Sequence, residues 1–335
     1  FWPAAVAPLV YNVCIIAGGV LLNPWLGIQG FAVGVVIGAF LGPLGVPLYA
    51  PRKRIKFTPR FAPTDPGFKQ FLWLTLPLML GVSLVTVDEW LLKYFGSAQA
   101  EGAISWLTNG RKLMLMAFAM IGQAAGQAAL PFLTRLYHEN KLDEMGEMLA
   151  VSIQRVLFLS ILAAAGLAAL AEPLVFVIFR RGAFSAEAAA STAQVLQFFA
   201  IGLPAWATQA MAARGFYARK DTISPMVIGT SVVMCSIPVY IYLNGAYGVV
   251  GLAASTSIGM SLNAIATLVV YRVRYGHIQL GQPARGAARG ILAGLLAGLP
   301  AYFAAAHFFE PHMLEAFIAL VVSGLAFCGI VVVLA

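Results

Sequence analysis

Ten long apolar runs divide the sequence, and they constrain the fold more than any other feature. They extend over 3–22, 29–49, 71–94, 104–132, 148–170, 191–213, 224–243, 248–270, 288–306 and 314–335. A helix needs about 20 apolar residues to cross the hydrocarbon core of a bilayer. Only 10% of the residues are charged, whereas about a quarter are charged in a soluble domain. We therefore expect an all-α, polytopic transmembrane helix bundle with about ten spans. Because the chain begins at Phe1, close to the first run, we also expect it to be part of a longer protein.

The basic residues alternate between the loops. Fifteen of the 21 lysines and arginines lie in, or at the edge of, the loops after the second, fourth, sixth and eighth runs, whereas the loops between those hold only Arg180 and Arg181. Cytoplasmic loops are enriched in Lys and Arg. This distribution predicts a multi-pass protein with both ends of this segment on the cytoplasmic side. The loop 50–70 is the most basic of them and contains Arg52, Lys53, Arg54, Lys56, Arg60 and Lys69.

The sequence gives no indication of an enzyme or of a nucleic-acid-binding protein. The net charge of +8 is distributed over the loops, without a basic face interleaved with aromatic residues. There is no His-Glu-x-x-His motif and no nucleotide-binding fingerprint, and the three cysteines lie separately inside apolar runs. We therefore expect no catalytic residues, no metal, no cofactor and no nucleic-acid partner.

Charged residues inside two neighbouring runs are the candidates for function. Asp88, Glu89 and Lys93 lie in the second half of the third run, and Arg111 and Lys112 lie about two turns into the fourth. A short loop joins these runs into an antiparallel hairpin, so both groups lie at a similar depth. Ionisable groups at that depth are costly and usually face a protein interior or a wet cavity.

Two interpretations of these charges remain open. In the first, Arg111 binds an anionic head group in a hydrated cavity, because a guanidinium contacts phosphate oxygens in a bidentate manner, and Asp88 gates or releases that group. In the second, Asp88 and Arg111 form a structural ion pair, and the long side chains near the span ends reach the membrane interface. The predicted substrate-binding residues are Arg111, Asp88, Lys112, Asn109 and Glu89.

Four stretches of the sequence together resemble one family. They are the hairpin containing Pro77, Gly81-Val82-Ser83, Ser105-Trp106 and Arg111; the end of the fourth run, GQAAGQAALPFLTRLYHENKLDE; the loop FRRGAFSAE (Phe179–Glu187); and GFYARKDTISP (Gly215–Pro225). These are similar to the seventh and eighth helices, a helix end and two loop motifs of the MurJ/MviN lipid II flippases. By this resemblance the structural-motif residues are Arg181, Gly182, Phe184, Phe216, Tyr217, Arg219, Asp221 and Pro225.

The resemblance implies a fold of fourteen helices in two lobes, of which the ten runs would be helices five to fourteen. Residues 1–49 would close the first lobe, 50–70 would be a cytoplasmic linker, 71–275 would form the second lobe of six helices, and 276–335 would form two groove helices for a lipid tail. Arg111 would be the cavity arginine of the eighth helix, and Asp88 an acidic position of the seventh. Some members have Asp and Glu where this chain has Gly110 and Met114.

The implied function is that of a flippase in the bacterial inner membrane. It would move the undecaprenyl-pyrophosphate-linked peptidoglycan precursor, lipid II, from the inner to the outer leaflet by alternating access. Its partners would be this lipid-linked pyrophosphate, membrane lipids, a coupling ion and cell-wall synthesis enzymes. Two alternatives remain: an exporter of the same superfamily for an oligosaccharide-lipid or a drug, and a scaffold for cell-wall enzymes that transports nothing.

Overall fold

The computed structural model describes residues 2–49, 64–182, 184–276, 278, 281–309 and 313–334. Most of the predicted linker 50–70 lies outside the described residues. This applies to five of its six basic residues: Arg52, Lys53, Arg54, Lys56 and Arg60.

The described residues are predominantly helical. The helices are α1 (Trp2–Leu21), α2 (Gln29–Tyr49), α3 (Pro66–Gly96), α4 (Ala103–His138), α5 (Leu142–Ala169), α6 (Ala171–Phe179), α7 (Ala186–Ala218), α8 (Ile223–Tyr275), α9 (Gly281–Phe308) and α10 (Met313–Leu334). A short turn of helix, Asn23–Leu26, connects α1 to α2. Each predicted run lies on one of these helices, with two runs on α8, and seven of the described helices are long and apolar enough to cross a membrane. The predicted all-α membrane bundle is therefore confirmed.

Helix α8 contains two predicted spans in one element of 53 residues. The helical conformation breaks at Gly248, where φ is 57° and ψ is −131°, a region that favours glycine because a Cβ atom would be strained there. Contacts between residues placed symmetrically about this break, such as Tyr240 with Thr256 and Ser224 with Arg274, show that the chain folds back on itself. We call residues 223–247 the first arm and residues 249–275 the second arm.

The chain divides into two compact units, Phe1–Lys69 and Gln70–Ala335. In the first unit, glycines bring α1 and α2 together: a Cβ atom added to Gly34 would lie 2.6 Å from the carbonyl oxygen of Cys14, and one added to Gly18 would lie 2.6 Å from the Cα of Gly34. Small residues allow this close approach of membrane helices.

Helix α7 lies at the centre of the second unit, where it packs against α4, α5 and α8. Its residues Leu196, Phe199 and Leu203 are completely buried. Helix α9 packs against α5, and α10 packs against α9 and α6. The outer faces of α9 and α10 keep large apolar side chains exposed, among them Leu292 and Phe303, as expected for surfaces that face lipid. The predicted division of this unit at residue 275 stays a prediction.

Candidate functional site

Asp88 of α3 and Arg111 of α4 form a buried ion pair. The distance from Arg111 Nη1 to Asp88 Oδ2 is 2.9 Å, and Arg111 is only 7% exposed. The guanidinium carbon also lies 5.6 Å from the centre of the Trp206 ring of α7, a distance at which a cation is attracted to an aromatic face. The pairing that the sequence allowed across the α3–α4 hairpin is present in the structure. Whether it handles a substrate stays a prediction.

Asp88 has a second partner that the sequence reasoning missed. The hydroxyl group of Tyr240 donates a hydrogen bond to Asp88 Oδ1, and Tyr240 Oη lies 2.7 Å from Thr256 Oγ1. Tyr240 is 1% exposed, and its ring stacks on Phe95 with a centroid distance of 6.3 Å and an interplanar angle of 13°. The carboxylate of Asp88 therefore connects α3 and α4 to both arms of α8.

Two cavities meet at this ion pair. The larger has a volume of about 380 Å³ and is lined by Asp88, together with residues of α4, α7 and both arms of α8. The smaller has a volume of about 210 Å³, lies between α3 and α4, and is lined by Arg111. The two partners of the ion pair thus face different cavities, and the pair lies at the boundary between them.

The smaller cavity brings together four of the predicted charges. Its lining includes Lys93, Arg111, Lys112 and Glu89. Lys93 Nζ lies 2.6 Å from Glu89 Oε1, and both side chains are about half exposed. Lys112 is exposed and has no ion-pair partner among the described residues. With three cations and one carboxylate in its lining, this cavity carries a positive charge that suits an anionic ligand.

Asn109 is the one predicted substrate-binding residue that this site does not include. Its side-chain amide lies 3.4 Å from Ser105 Oγ, one turn earlier in α4, and it is absent from the lining of both cavities. Asn109 and Arg111 are two residues apart, and residues at that spacing do not share a face of a helix.

Arg214 is a residue of the larger cavity that sequence reasoning assigned to a loop. It lies on the last turns of α7 and lines the cavity together with Tyr217. Its Nε atom is buried and has no hydrogen-bond partner among the described residues. Gly126 of α4 leaves space for this side chain, because a Cβ atom there would lie 3.3 Å from Arg214 Nε.

The loop after α6 contains one predicted motif. Gly182 has a positive φ of 60°, which explains a glycine at this position. Arg180 Nη1 donates a hydrogen bond to the Phe184 carbonyl oxygen at 2.7 Å, whereas the Arg181 side chain is exposed. Of the two arginines, Arg180 therefore makes the side-chain contact that closes the loop, and Arg181 contributes its backbone.

The second motif joins the end of α7 to both ends of α8. Asp221 Oδ1 accepts a hydrogen bond from the backbone N–H of Ser224 at 3.0 Å, and Asp221 Oδ2 accepts bonds from Ser224 Oγ and Tyr275 Oη, each at 2.7 Å. Arg274 Nη1 lies 3.3 Å from the same Oδ2 atom. Since Ser224 begins the first arm and Arg274 and Tyr275 end the second, this cluster holds the two ends of the α8 hairpin together.

The other predicted motif residues support this cluster. Phe216 is completely buried and packs edge-on against Tyr271 with a centroid distance of 5.1 Å. Arg219 Nε donates to Tyr271 Oη at 3.2 Å, and its guanidinium carbon lies 4.3 Å from the centre of the Tyr275 ring. Pro225 is buried. Pro225 and Tyr217 both line the larger cavity. The geometry assigns these residues to packing around the α7–α8 connection.

The stability of the protein should depend on pH through Asp221. Burial alone would raise the pKa of Asp221, but the hydrogen bonds from Ser224 and Tyr275 and the charge of Arg274 together hold that pKa below its usual value. A depressed pKa stabilises the fold above the pKa of the unfolded state, about 3.9, and this contribution is lost as the pH falls through the folded-state value. We expect Asp221→Asn to lower the midpoint of thermal unfolding at pH 7, with a difference from wild type that shrinks below about pH 4.

The exposed Glu147, beyond the first turn of α5, provides the control for that measurement. Glu147→Gln removes the same charge without disturbing the cluster and should leave the midpoint unchanged at pH 7. An equal decrease for both variants would assign the effect to net charge and contradict the role of the cluster.

Comparisons with known proteins agree with this architecture. A family model described as lipid II flippase MurJ matches residues 1–323. The chain is 30% identical over 267 residues to a probable lipid II flippase MurJ of Vibrio cholerae, covering 78% of this chain and 50% of the relative, and 28% identical over 278 residues to the lipid II flippase MurJ of Burkholderia cenocepacia, covering 81% and 54%. The chain therefore spans about half the length of the curated relatives it matches.

Solved structures show the same fold. A lipid II flippase MurJ in an inward closed conformation superposes with a TM-score of 0.76 at 22% identity, covering 98% of this chain and 66% of that chain. An outward-facing multidrug resistance transporter of the MATE family in the MOP superfamily gives a TM-score of 0.50 at 15% identity, covering 77% and 63%.

The matched family consists of lipid II flippases, which are transporters and not enzymes, in agreement with the resemblance found in the sequence. The chain is a multi-pass membrane protein. Because the family model matches residues 1–323 of the 335, the chain belongs to the MurJ lipid II flippase family.

Proposed function

We propose that this chain forms helices five to fourteen of a flippase that moves lipid II from the inner to the outer leaflet by alternating access. The observation that carries the proposal is the position of Arg111, which is buried in an ion pair and yet lines a cavity with two lysines. Lipid II carries a pyrophosphate, which requires a cationic environment to leave the aqueous face of a membrane. Membership of the family supports this substrate.

Arg111 would bind the pyrophosphate directly. A guanidinium has a planar set of donors that matches two phosphate oxygens, and it keeps its charge in a site of low dielectric constant. Lys112 is exposed at the same cavity and would add a second positive charge. Glu89 is already paired with Lys93, so its carboxylate would repel an incoming anion less than an unpaired one.

The lipid tail would remain outside this cavity. An undecaprenyl chain is apolar and gains nothing from a charged lining, whereas the outer faces of α9 and α10 expose apolar side chains such as Leu295 and Leu325. We propose that residues 276–335 form a groove for the tail and that residues 71–275 form the lobe that handles the head group.

The orientation and the energy source belong to the same proposal. The distribution of Lys and Arg supports cytoplasmic ends for this segment and a cytoplasmic position for the linker 50–70. A membrane potential supplies about 2.3 kcal/mol per charge for each 100 mV, so the movement of an ion with the substrate would drive export. Recruitment of cell-wall synthesis enzymes is compatible with this function.

The test is transport by the full-length protein in proteoliposomes. We expect outward movement of a lipid-linked pyrophosphate sugar and no export of a hydrophobic cationic drug, because the smaller cavity is positively charged. Drug export without lipid movement would instead favour a multidrug exporter, which the MATE-like fold makes the relevant competitor. Movement of neither would favour a scaffold and contradict the proposal.

A further inference from the structure

Asp88 is shared between Arg111 on one side and the hydroxyl group of Tyr240 on the other. We propose that Tyr240 and Thr256 form a hydroxyl relay that holds the Asp88 carboxylate when Arg111 turns from Asp88 to the anion of the substrate. The two hydroxyl groups are then positioning residues that set how readily Arg111 exchanges one anion for another. This inference rests on the proposed function, because it presupposes that Arg111 binds the pyrophosphate.

The need for such a relay follows from the burial of the ion pair. Arg111 and Asp88 are 2.9 Å apart, with side chains that are 9% and 17% exposed. A pyrophosphate in the smaller cavity must compete with Asp88 for the guanidinium. If Arg111 left without a replacement, the carboxylate would remain as a buried, uncompensated charge, which is strongly unfavourable.

The geometry supplies that replacement at the other carboxylate oxygen of Asp88, in the lining of the larger cavity. Tyr240 donates to Oδ1, whereas Arg111 contacts Oδ2, so the two partners bind different oxygens and one can leave without displacing the other. Because the Tyr240 proton is directed to Asp88, the hydroxyl proton of Thr256 is directed to Tyr240 Oη, 2.7 Å away. Hydrogen bonds in such a chain polarise and strengthen one another.

The relay is also rigid. Tyr240 is 1% exposed, Thr256 is 1% exposed, and the Tyr240 ring stacks on Phe95. The hydroxyl group therefore keeps its position when Arg111 moves. A hydrogen bond to a carboxylate strengthens as the carboxylate loses its other counter-charge, so the relay stabilises the substrate-bound state more than the empty state.

The decisive experiment is a double-mutant cycle on the full-length protein in detergent. The probe is farnesyl pyrophosphate, with farnesol as the ligand that lacks the anion, and the readout is the dissociation constant. Tyr240→Phe removes only the hydroxyl group and should weaken binding of farnesyl pyrophosphate by roughly fivefold to tenfold. Asp88→Asn removes the competing anion and should tighten it by about fivefold. In the Asp88→Asn background, Tyr240→Phe should have no further effect, since no charge is left to hold.

Tyr242→Phe is the matched control. Tyr242 lies on the same arm of α8 but is 73% exposed, so the loss of its hydroxyl group should leave the dissociation constant unchanged. The relay would be overturned if Tyr240→Phe weakened binding equally with and without Asp88, or did not weaken it at all, while Arg111→Ala still weakened binding strongly. Unchanged binding in Arg111→Ala would instead contradict the proposed function itself.

Discussion

Replacing Arg111 by alanine should lower the rate at which the full-length protein moves a lipid-linked pyrophosphate sugar by about a hundredfold. Two charge-assisted hydrogen bonds to the pyrophosphate would be lost, each contributing about 1.5 kcal/mol, and each 1.4 kcal/mol corresponds to a factor of ten. Lys112 remains exposed at the same cavity, so a residual rate should persist. The measurement is the initial rate of outward movement in proteoliposomes, normalised to the amount of folded protein.

Folding must be separated from transport in this variant. Arg111→Ala leaves Asp88 buried without its counter-charge, a change that typically destabilises a protein by about 3–5 kcal/mol. The double variant with Asp88→Asn and Arg111→Ala removes both charges and should recover the thermal stability but not the transport. Arg135→Ala is the matched control, because Arg135 is 74% exposed and also paired with a carboxylate, on Glu139. Transport at the wild-type rate by the double variant would reduce Arg111 to a structural residue.

The sequence indicated that Asp88 and Arg111 could pair because they lie on consecutive helices. A short loop makes α3 and α4 antiparallel, which fixes the relative depth of Asp88 and Arg111. Burial of either charge alone is unfavourable in a membrane, so pairing is the expected outcome. The spans were also predictable, because only helices and closed β-barrels provide hydrogen bonds for every backbone N–H and C=O group in lipid.

The remaining parts of the site depend on contacts between distant segments, which hydropathy does not specify. Tyr240 and Thr256 are ordinary residues of apolar runs. Thr256 reaches the Tyr240 hydroxyl group, which bonds to Asp88, only because α8 folds back at Gly248. A glycine between two spans indicates a turn, but not which face of each arm meets α3. The partner of Asp88 on α8 was therefore beyond sequence reasoning.

Arg214 was missed for a different reason. The apolar run ends at 213, so the following arginine was counted among the loop charges that determine topology. The helix continues to Ala218, and Arg214 lines the larger cavity. A charged residue lowers the local hydropathy and so ends the apolar run. The helix itself ends where its backbone hydrogen bonds end, in this case four residues after Arg214.

Replacing Gly202 by leucine should destabilise the protein, because this glycine lies where α7 packs closely against the second arm of α8. A Cβ atom at this position would lie 2.6 Å from Ser257 Oγ and 3.0 Å from Ser257 Cα on the second arm of α8. Ser257 also donates a hydrogen bond from its Oγ to the Phe198 carbonyl oxygen at 2.7 Å, so separating the helices would break that bond as well. Overpacking of this kind typically costs about 1–3 kcal/mol, and the unfolding midpoint in detergent should fall by roughly 1–4 °C for a chain of this length.

Gly324 of α10 distinguishes close packing from the intrinsic effect of the substitution. It also lies inside an apolar helix, but a Cβ atom added there would have no heavy atom within 4 Å. Leucine has a helix propensity about 0.5–1 kcal/mol more favourable than that of glycine. Gly324→Leu should therefore leave the unfolding midpoint unchanged or raise it slightly. The midpoint of Gly202→Ala should lie between those of wild type and Gly202→Leu. Its single methyl group overlaps with the same Ser257 atoms, but it lacks the further side-chain atoms of leucine. Equal midpoints for Gly202→Leu and Gly324→Leu would mean that α7 and α8 do not approach as closely as the structure has them.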